Sequence, residues 1–132
     1  MAAQVVVVGS LNYDITVWVP RRPQADETLH GSKCEENAGG KGANQAVAAS
    51  RLEAEVTMIG CVGPDSRGDY LLAELDAAGV DRDHVYRGKT STGTALITID
   101  PEDVSIVVIA GANAELDARR VELAAPEISN AD

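Results

Sequence analysis

The sequence predicts an α/β fold: a main sheet of parallel strands with helices on its faces, and a small second β sheet projecting from it. Three observations carry this. Strand-like and helix-like segments alternate through the middle of the 132 residues, as parallel sheets with crossover helices require. Short apolar runs ended by glycine or by turn residues, such as Val5–Val8 before Gly9-Ser10, suit buried strands. Polar strands near the N-terminus and a hairpin pattern near residue 100 interrupt the alternation and supply the second sheet.

Residues Gln4–Gly9 read as the first buried strand. Ile15–Val19 alternates and stops at Pro20, so it reads as a second. Arg21–Asp26 is a turn-rich connection, and Thr28–Cys34 a third, more polar strand. After the glycine cluster at Gly39–Gly42 an Ala-rich helix runs to about Leu52. Val56–Cys61 is another buried strand. Asp65 starts a helix with Tyr70, Leu71, Leu72 and Leu75 on its inner side, and Gly79 has the position of its C-terminal cap. His84–Arg87 is a short strand. Thr94–Asp100 and Ser105–Ile109, joined by Pro101-Glu102-Asp103, form a hairpin. Gly111–Glu115 reads as a loop, and Asp117–Ala124 as a helix that Pro126 interrupts.

Phe is absent and aromatic residues make up only 3%, so aliphatic side chains must build the core. Val5–Val8 and Ile106–Ile109 are the expected material. The net charge of −10 repels nucleic acid and anionic lipid and argues against both as partners. No stretch has the length of a membrane span, and the first residues lack the basic start of a signal peptide, so a cytoplasmic protein is expected. Cys34 and Cys61 fit no metal or redox spacing and read as structural thiols. His30 reads as an exposed strand residue and His84 as a strand-entry residue. Neither has partners of metal-site or triad type.

Two segments have the makings of a site. In Gly9-Ser10-Leu11-Asn12-Tyr13-Asp14 a strand ends and polar side chains follow at alternate positions. A carboxylate beside an amide can bracket neighbouring hydroxyls, although an Asx-type turn that ends the strand explains the same residues. In Asn37-Ala38-Gly39-Gly40-Lys41-Gly42-Ala43-Asn44-Gln45 glycines let backbone approach a ligand, and the helix behind offers unpaired N–H groups. The segment is neither a Walker loop, since Gly42 follows Lys41, nor a dinucleotide fingerprint, since Gln45 stands where the third Gly belongs. Ser91-Thr92-Gly93-Thr94-Ala95, where Gly93 permits close backbone approach at a strand start, is a candidate third element, as is Gly111-Ala112-Asn113-Ala114, but an ordinary strand entry or loop explains these residues better when they are taken alone.

Taken in order, these segments, with Ile59-Gly60-Cys61-Val62-Gly63 between them, resemble the ribokinase family of carbohydrate kinases along essentially the whole chain. The Gly-Gly-Lys-Gly-Ala-Asn-Gln string resembles the ribose-phosphorylating branch more than fructokinases or adenosine kinases. The resemblance implies a central α/β sheet with a β lid, its strands at about residues 14–37 and 94–110, within one kinase domain that residues 1–132 begin. It implies transfer of the γ-phosphoryl group of ATP to the 5-hydroxyl of ribose or a related pentose, with Mg²⁺ and a stimulating K⁺. By the same resemblance Asn12 and Asp14 hold sugar hydroxyls, Gly39, Gly40, Lys41 and Asn44 line the opposite wall, and Ala95 covers the sugar.

The family's second signature, which carries the catalytic base, the ATP pocket and the cation site, does not occur in these residues. No catalytic or metal-binding residue is therefore assigned here, and the 132 residues alone are expected to be inactive. The rival expectation is a non-catalytic sugar-binding module, or one that pairs through its lid as a homodimer. Two departures from the family pattern stand out. Glu53 occupies a position usually held by Gly or Ser, and Ala25-Asp26 replaces a usual Pro-Gly.

Overall fold

A computed structural model describes all 132 residues. Seven strands form two sheets. The main sheet contains β1 (Gln4–Val8), β4 (Glu55–Val62) and β5 (Asp81–Arg87) in the order β1-β4-β5, all parallel. The second contains β2 (Asn12–Trp18), β3 (Lys33–Gly39), β6 (Thr94–Ile99) and β7 (Val104–Ile109) in the order β3-β2-β6-β7. The expected α/β fold with a second sheet is what forms, but within these residues the second sheet, with four strands, is the larger of the two.

Helices α1 (Lys41–Arg51) and α2 (Ser66–Ala77) supply the crossovers of the parallel sheet. They bury its core: Ala43, Ala46, Leu71, Leu72 and Leu75 pack with Val7, Val56, Met58, Val62 and Val85. Alternate residues of β4 face the other way. Ile59 and Cys61 are fully buried there, on the side of residues 111–130. Arg120 Nη1 lies 3.4 Å from Cys61 Sγ, and Tyr86 Oη donates to the Arg120 carbonyl at 3.1 Å. His84 Nε2 is 3.1 Å from Glu127. Residues 111–130 comprise a 3₁₀ turn at Gly111–Glu115, α3 (Ala118–Glu122) and α4 (Ala125–Asn130).

Several sequence expectations need correction. The third strand lies at Lys33–Gly39 rather than Thr28–Cys34, because antiparallel pairing with β2 joins Trp18 to Lys33 and Asn12 to Gly39. His30 is therefore a loop residue, and Cys34, read as a structural thiol, stands exposed on β3. The strand read as Ile15–Val19 begins at Asn12, so both candidate polar residues stand on it. Tyr70 faces outward, with its ring edge-on to Tyr13 at 5.4 Å. Pro126 opens α4 instead of breaking α3, since the first turn of a helix needs no N–H from it. Residues 111–115 are helical rather than a loop.

The largest correction concerns Ile106–Ile109. Every residue of β7 is exposed, with Val104, Ile106, Val107 and Val108 each near 60%. The strand is the outer edge of the second sheet, and side chains on both of its faces are exposed. An unbroken apolar run signals a strand without saying whether the chain itself covers it.

Both main helices end in the same Schellman geometry, which needs a left-handed residue just past the cap. After α2 that residue is Gly79, φ 74°, with Gly79 N–H bonded to Asp76 and Val80 N–H to Leu75. After α1 it is Glu53, φ 69°, with Glu53 N–H bonded to Ser50 and Ala54 N–H to Ala49. Asp26, the second departure, also lies in this region at φ 60°. A side chain at a left-handed position costs roughly 1 kcal/mol relative to glycine. Glu53 is exposed and its side chain makes no bond, so Glu53→Gly is expected to raise stability by about that amount, measured by urea unfolding.

Candidate functional site

The two sheets meet where β1 passes into β2 and β3 passes into α1. Here backbone lies directly on backbone. A Cβ at Gly42 would fall 2.8 Å from the Gly9 Cα, and one at Gly40 would fall 2.7 Å from the Ser10 carbonyl. The Ala43 amide donates to that same carbonyl at 3.0 Å. The first turn of α1 is thus pinned to the end of β1. The amides of Lys41 and Gly42, at the positive end of the helix dipole, keep no acceptor within the chain.

Asn12 and Asp14 are one pleat apart on β2 and share a face of the second sheet. Asp14 stands between Asn37 on β3 and Ala95 on β6. Its carboxylate packs against Gly39, where any Cβ would clash with both carboxylate oxygens. The Asp14 carboxylate is half-buried and makes no hydrogen bond or ion pair, and burial raises its pKa. Ala95 is buried beside it. Lys41 and Asn44 are exposed on the first turn of α1, and neither side chain bonds another residue. Asn44 also borders a cavity of about 570 Å³ between α1 and α2, with Ala38, Val47 and Glu74. Asn12, Asp14, Gly39, Gly40 and Ala95 therefore come together in one notch where the sheets meet, while Lys41 and Asn44 follow on the first turn of α1, with Asn44 on the side of the α1–α2 cavity.

Two further residues complete the notch. Gly93 precedes β6, and its carbonyl accepts from the Tyr13 amide at 2.8 Å. Asn113, in the 3₁₀ turn, reaches the Leu11 backbone and the Asn12 side chain. Both segments belong to the family resemblance, but only Ala95 among their residues is implied to contact the sugar. The available signal was the pairing of a small residue with a polar one, Gly93 with Asn113, which spacing along the chain does not reveal. Nearby, Glu115 accepts from the amides of Lys89 and Thr90 and from the Thr90 hydroxyl. Those bonds hold its carboxyl at about 2 and fasten the turn to the segment entering β6. Asp65 fastens the other side. Burial raises its pKa, but bonds from Thr92 and from the Gly68 amide outweigh that and lower it.

The site carries hydrogen-bond donors and acceptors side by side. It offers an acceptor-only carboxylate, an amide, free backbone N–H groups and a nearby ammonium. No group of three or more His, Cys, Asp and Glu side chains is gathered to hold a metal ion. No helix is long and apolar enough to cross a membrane.

A parallel sheet with helices on its faces and a second, mixed sheet joined to it at the glycine junction defines an α/β protein of the sugar-kinase type. The chain belongs to the pfkB family of carbohydrate kinases, whose model matches residues 2–132. It is 45% identical to the ribokinase of Bacillus subtilis over 113 residues, covering 85% of this chain and 39% of that protein. The ribokinase structure from Giardia lamblia matches with a TM-score of 0.90 at 30% identity, covering 98% of this chain and 43% of that one. The Arabidopsis thaliana ribokinase complexed with ribose and ATP matches with a TM-score of 0.77 at 38% identity, covering 86% and 38%. The chain thus spans about two-fifths of the length of the relatives it matches.

The unpaired Asp14 carboxylate makes ionisation unfavourable to the fold. Its pKa is raised in the folded state, so the penalty is absent below the unfolded value near 3.8 and complete above the folded value. Asp14→Asn is expected to raise the melting temperature at pH 7, with the gain shrinking as the pH falls toward 3.8 and absent below it. Melting curves across pH 3 to 7 check this, and a loss of stability at pH 7 contradicts it.

Proposed function

We propose that this chain forms the sugar-binding wall and lid of an ATP-dependent kinase that converts ribose to ribose 5-phosphate. The observation that carries the reading is the unpaired, half-buried Asp14 carboxylate beside Asn12 in a glycine-lined notch. A buried carboxylate without a partner is costly unless a ligand supplies donors, and vicinal hydroxyls supply two. In this reading Asn12 and Asp14 hold the sugar. Gly39, Gly40, Lys41 and Asn44 form the facing wall, and Ala95 closes over the ring from a lid spanning about residues 14–37 and 94–110. The names of the relatives support ribose, as does the ribose and ATP complex of the plant protein.

ATP would supply the phosphoryl group. No group of three or more His, Cys, Asp and Glu side chains is gathered here to hold Mg²⁺. In our reading ATP, Mg²⁺ and K⁺ are held by sequence corresponding to the remaining three-fifths of the relatives. These 132 residues position the acceptor sugar in a cytoplasmic enzyme and do not transfer phosphate alone. Phosphoryl transfer depends on placing charge around the moving group, and no group here is placed to do so.

A second reading has its own observation. The exposed β7 edge carries Val104, Ile106, Val107, Val108 and Ile109, and unpaired edges of this kind associate. We propose that it pairs with the same sheet of a second copy, giving a homodimer through the lid. This pairing is compatible with the kinase reading. It also stands without it, as a non-catalytic sugar-binding or dimerisation module.

Isothermal titration calorimetry with ribose, beside an Asp14→Ala control, tests the sugar site. Binding that disappears in the control is expected, and binding that survives it removes Asp14 from the site. Sedimentation velocity tests the lid. The chain is expected to sediment as a dimer and Val107→Glu as a monomer, whereas a monomeric wild type rules out lid pairing.

A further inference from the structure

We infer that Asn113 is a positioning residue: it fixes which way the Asn12 amide faces, and so makes Asn12 a hydrogen-bond donor toward the ligand. The inference rests on the reading of Asn12 and Asp14 as the sugar-binding pair.

The argument needs no hydrogen position to be seen, because it starts from groups whose roles cannot change. A backbone N–H only donates, and a backbone C=O only accepts. The Leu11 amide lies 2.9 Å from one terminal atom of Asn113, so that atom is the oxygen. The other terminal atom is then the amide nitrogen, and it lies 3.0 Å from the Leu11 carbonyl, as a donor should. That nitrogen also lies 2.8 Å from a terminal atom of Asn12. Its two N–H groups serve the Leu11 carbonyl and Asn12, so the Asn12 atom facing it must be an acceptor, Oδ1. The Asn12 Nδ2 is thereby turned away from Asn113, with both N–H groups unbonded within the chain.

The surroundings hold this arrangement. Gly93 leaves the room, since a Cβ there would clash with the Asn113 amide nitrogen and fall 2.6 Å from Asn12 Oδ1. Gly111, at φ 52°, turns the chain out of β7 so that Asn113 points back at β2. Glu115 and Ala112 anchor the same turn, Ala112 through its amide on the Ser91 carbonyl at 2.8 Å.

The consequence is chemical. Asp14 accepts and cannot donate when ionised, and Asn12 as oriented donates. The pair presents donor and acceptor side by side, which suits adjacent hydroxyls, one accepting and the other donating. With Asn12 reversed, the site would present two acceptors, and one hydroxyl would lose its partner.

Side-chain amide exchange in the nitrogen-15-labelled 132-residue chain tests this directly. In the wild type the Asn113 side-chain protons are expected to exchange about tenfold or more slowly than those of Asn12, since only the former are internally bonded. Asn113→Asp keeps an acceptor for the Leu11 amide but replaces the donor. Asn12 is then expected to turn its Nδ2 inward, so its protons become slow and ribose affinity falls by about tenfold. Wild-type Asn12 protons as slow as those of Asn113 would overturn the inference. So would unchanged Asn12 exchange, or unchanged ribose affinity, in a folded Asn113→Asp variant. If that variant does not fold, the wild-type comparison decides alone. Failure of the wild type to bind ribose counts against the sugar-site reading, while the exchange pattern still decides the orientation of Asn12.

Discussion

The site exists because two pieces of backbone touch with no side chain between them. Gly42 of α1 rests on Gly9 at the end of β1, and Gly40 rests on the Ser10 carbonyl. That contact sets how closely the second sheet approaches the main one. It also brings the unpaired amides of Lys41 and Gly42 to the strand that carries Asn12 and Asp14. A methyl group at either glycine would push the helix away from β2, open the notch and separate its walls. The large hydrophobic core around Met58 and Leu75 supports this junction but does not shape it.

What the sequence revealed follows from the range of each signal. Periodicity and glycine punctuation are local, so the parallel sheet, both main helices and the β6–β7 hairpin were legible. The glycine string at residues 39–42 was legible because such a cluster before an Ala-rich helix has few structural uses. Strand β3 was misplaced because its bounds come from antiparallel pairing with β2, and its residues, such as Glu35 and Asn37, have weak strand preference. The exposure of β7 was not legible, since a strand covered by its own chain and one left bare share the same apolar sequence. Asn113 stayed hidden for another reason. Its partners Leu11 and Asn12 lie about a hundred residues earlier in the chain, and no local rule joins them.

Stability and function pull apart at particular residues. Glu115 and Asp65 have their carboxylates fully satisfied by loop amides and hydroxyls, and these groups hold the scaffold together. Asp14 is the opposite case, a carboxylate half-buried with nothing to accept from. Such a group weakens the folded state of the free protein, and in the proposed reading the sugar hydroxyls supply its missing partners. Glu53 also sits at a cost, in the place where α2 has Gly79, but no ligand relieves it and no site contact depends on it. The difference between the two costly positions is where they lie. Only one of them faces the notch.

The order of strands in the second sheet also sets the order in which it can be assembled. β2 and β3 are near neighbours in sequence and pair as an antiparallel ribbon, but the other side of β2 pairs in parallel with β6, joining Tyr13 to Thr94 across about eighty residues. Closing so long a loop is entropically slow, and parallel pairing gives little until both strands are present. During synthesis the β2–β3 ribbon therefore waits with one edge open while α1, β4, α2 and β5 emerge and pack. The last strand to join, β7, is the most apolar of the seven and the least covered. A nascent chain passes through a stage in which its stickiest segment has just left the ribosome and its docking edge has only just become available, which makes this sheet the step at which a folding helper would matter most.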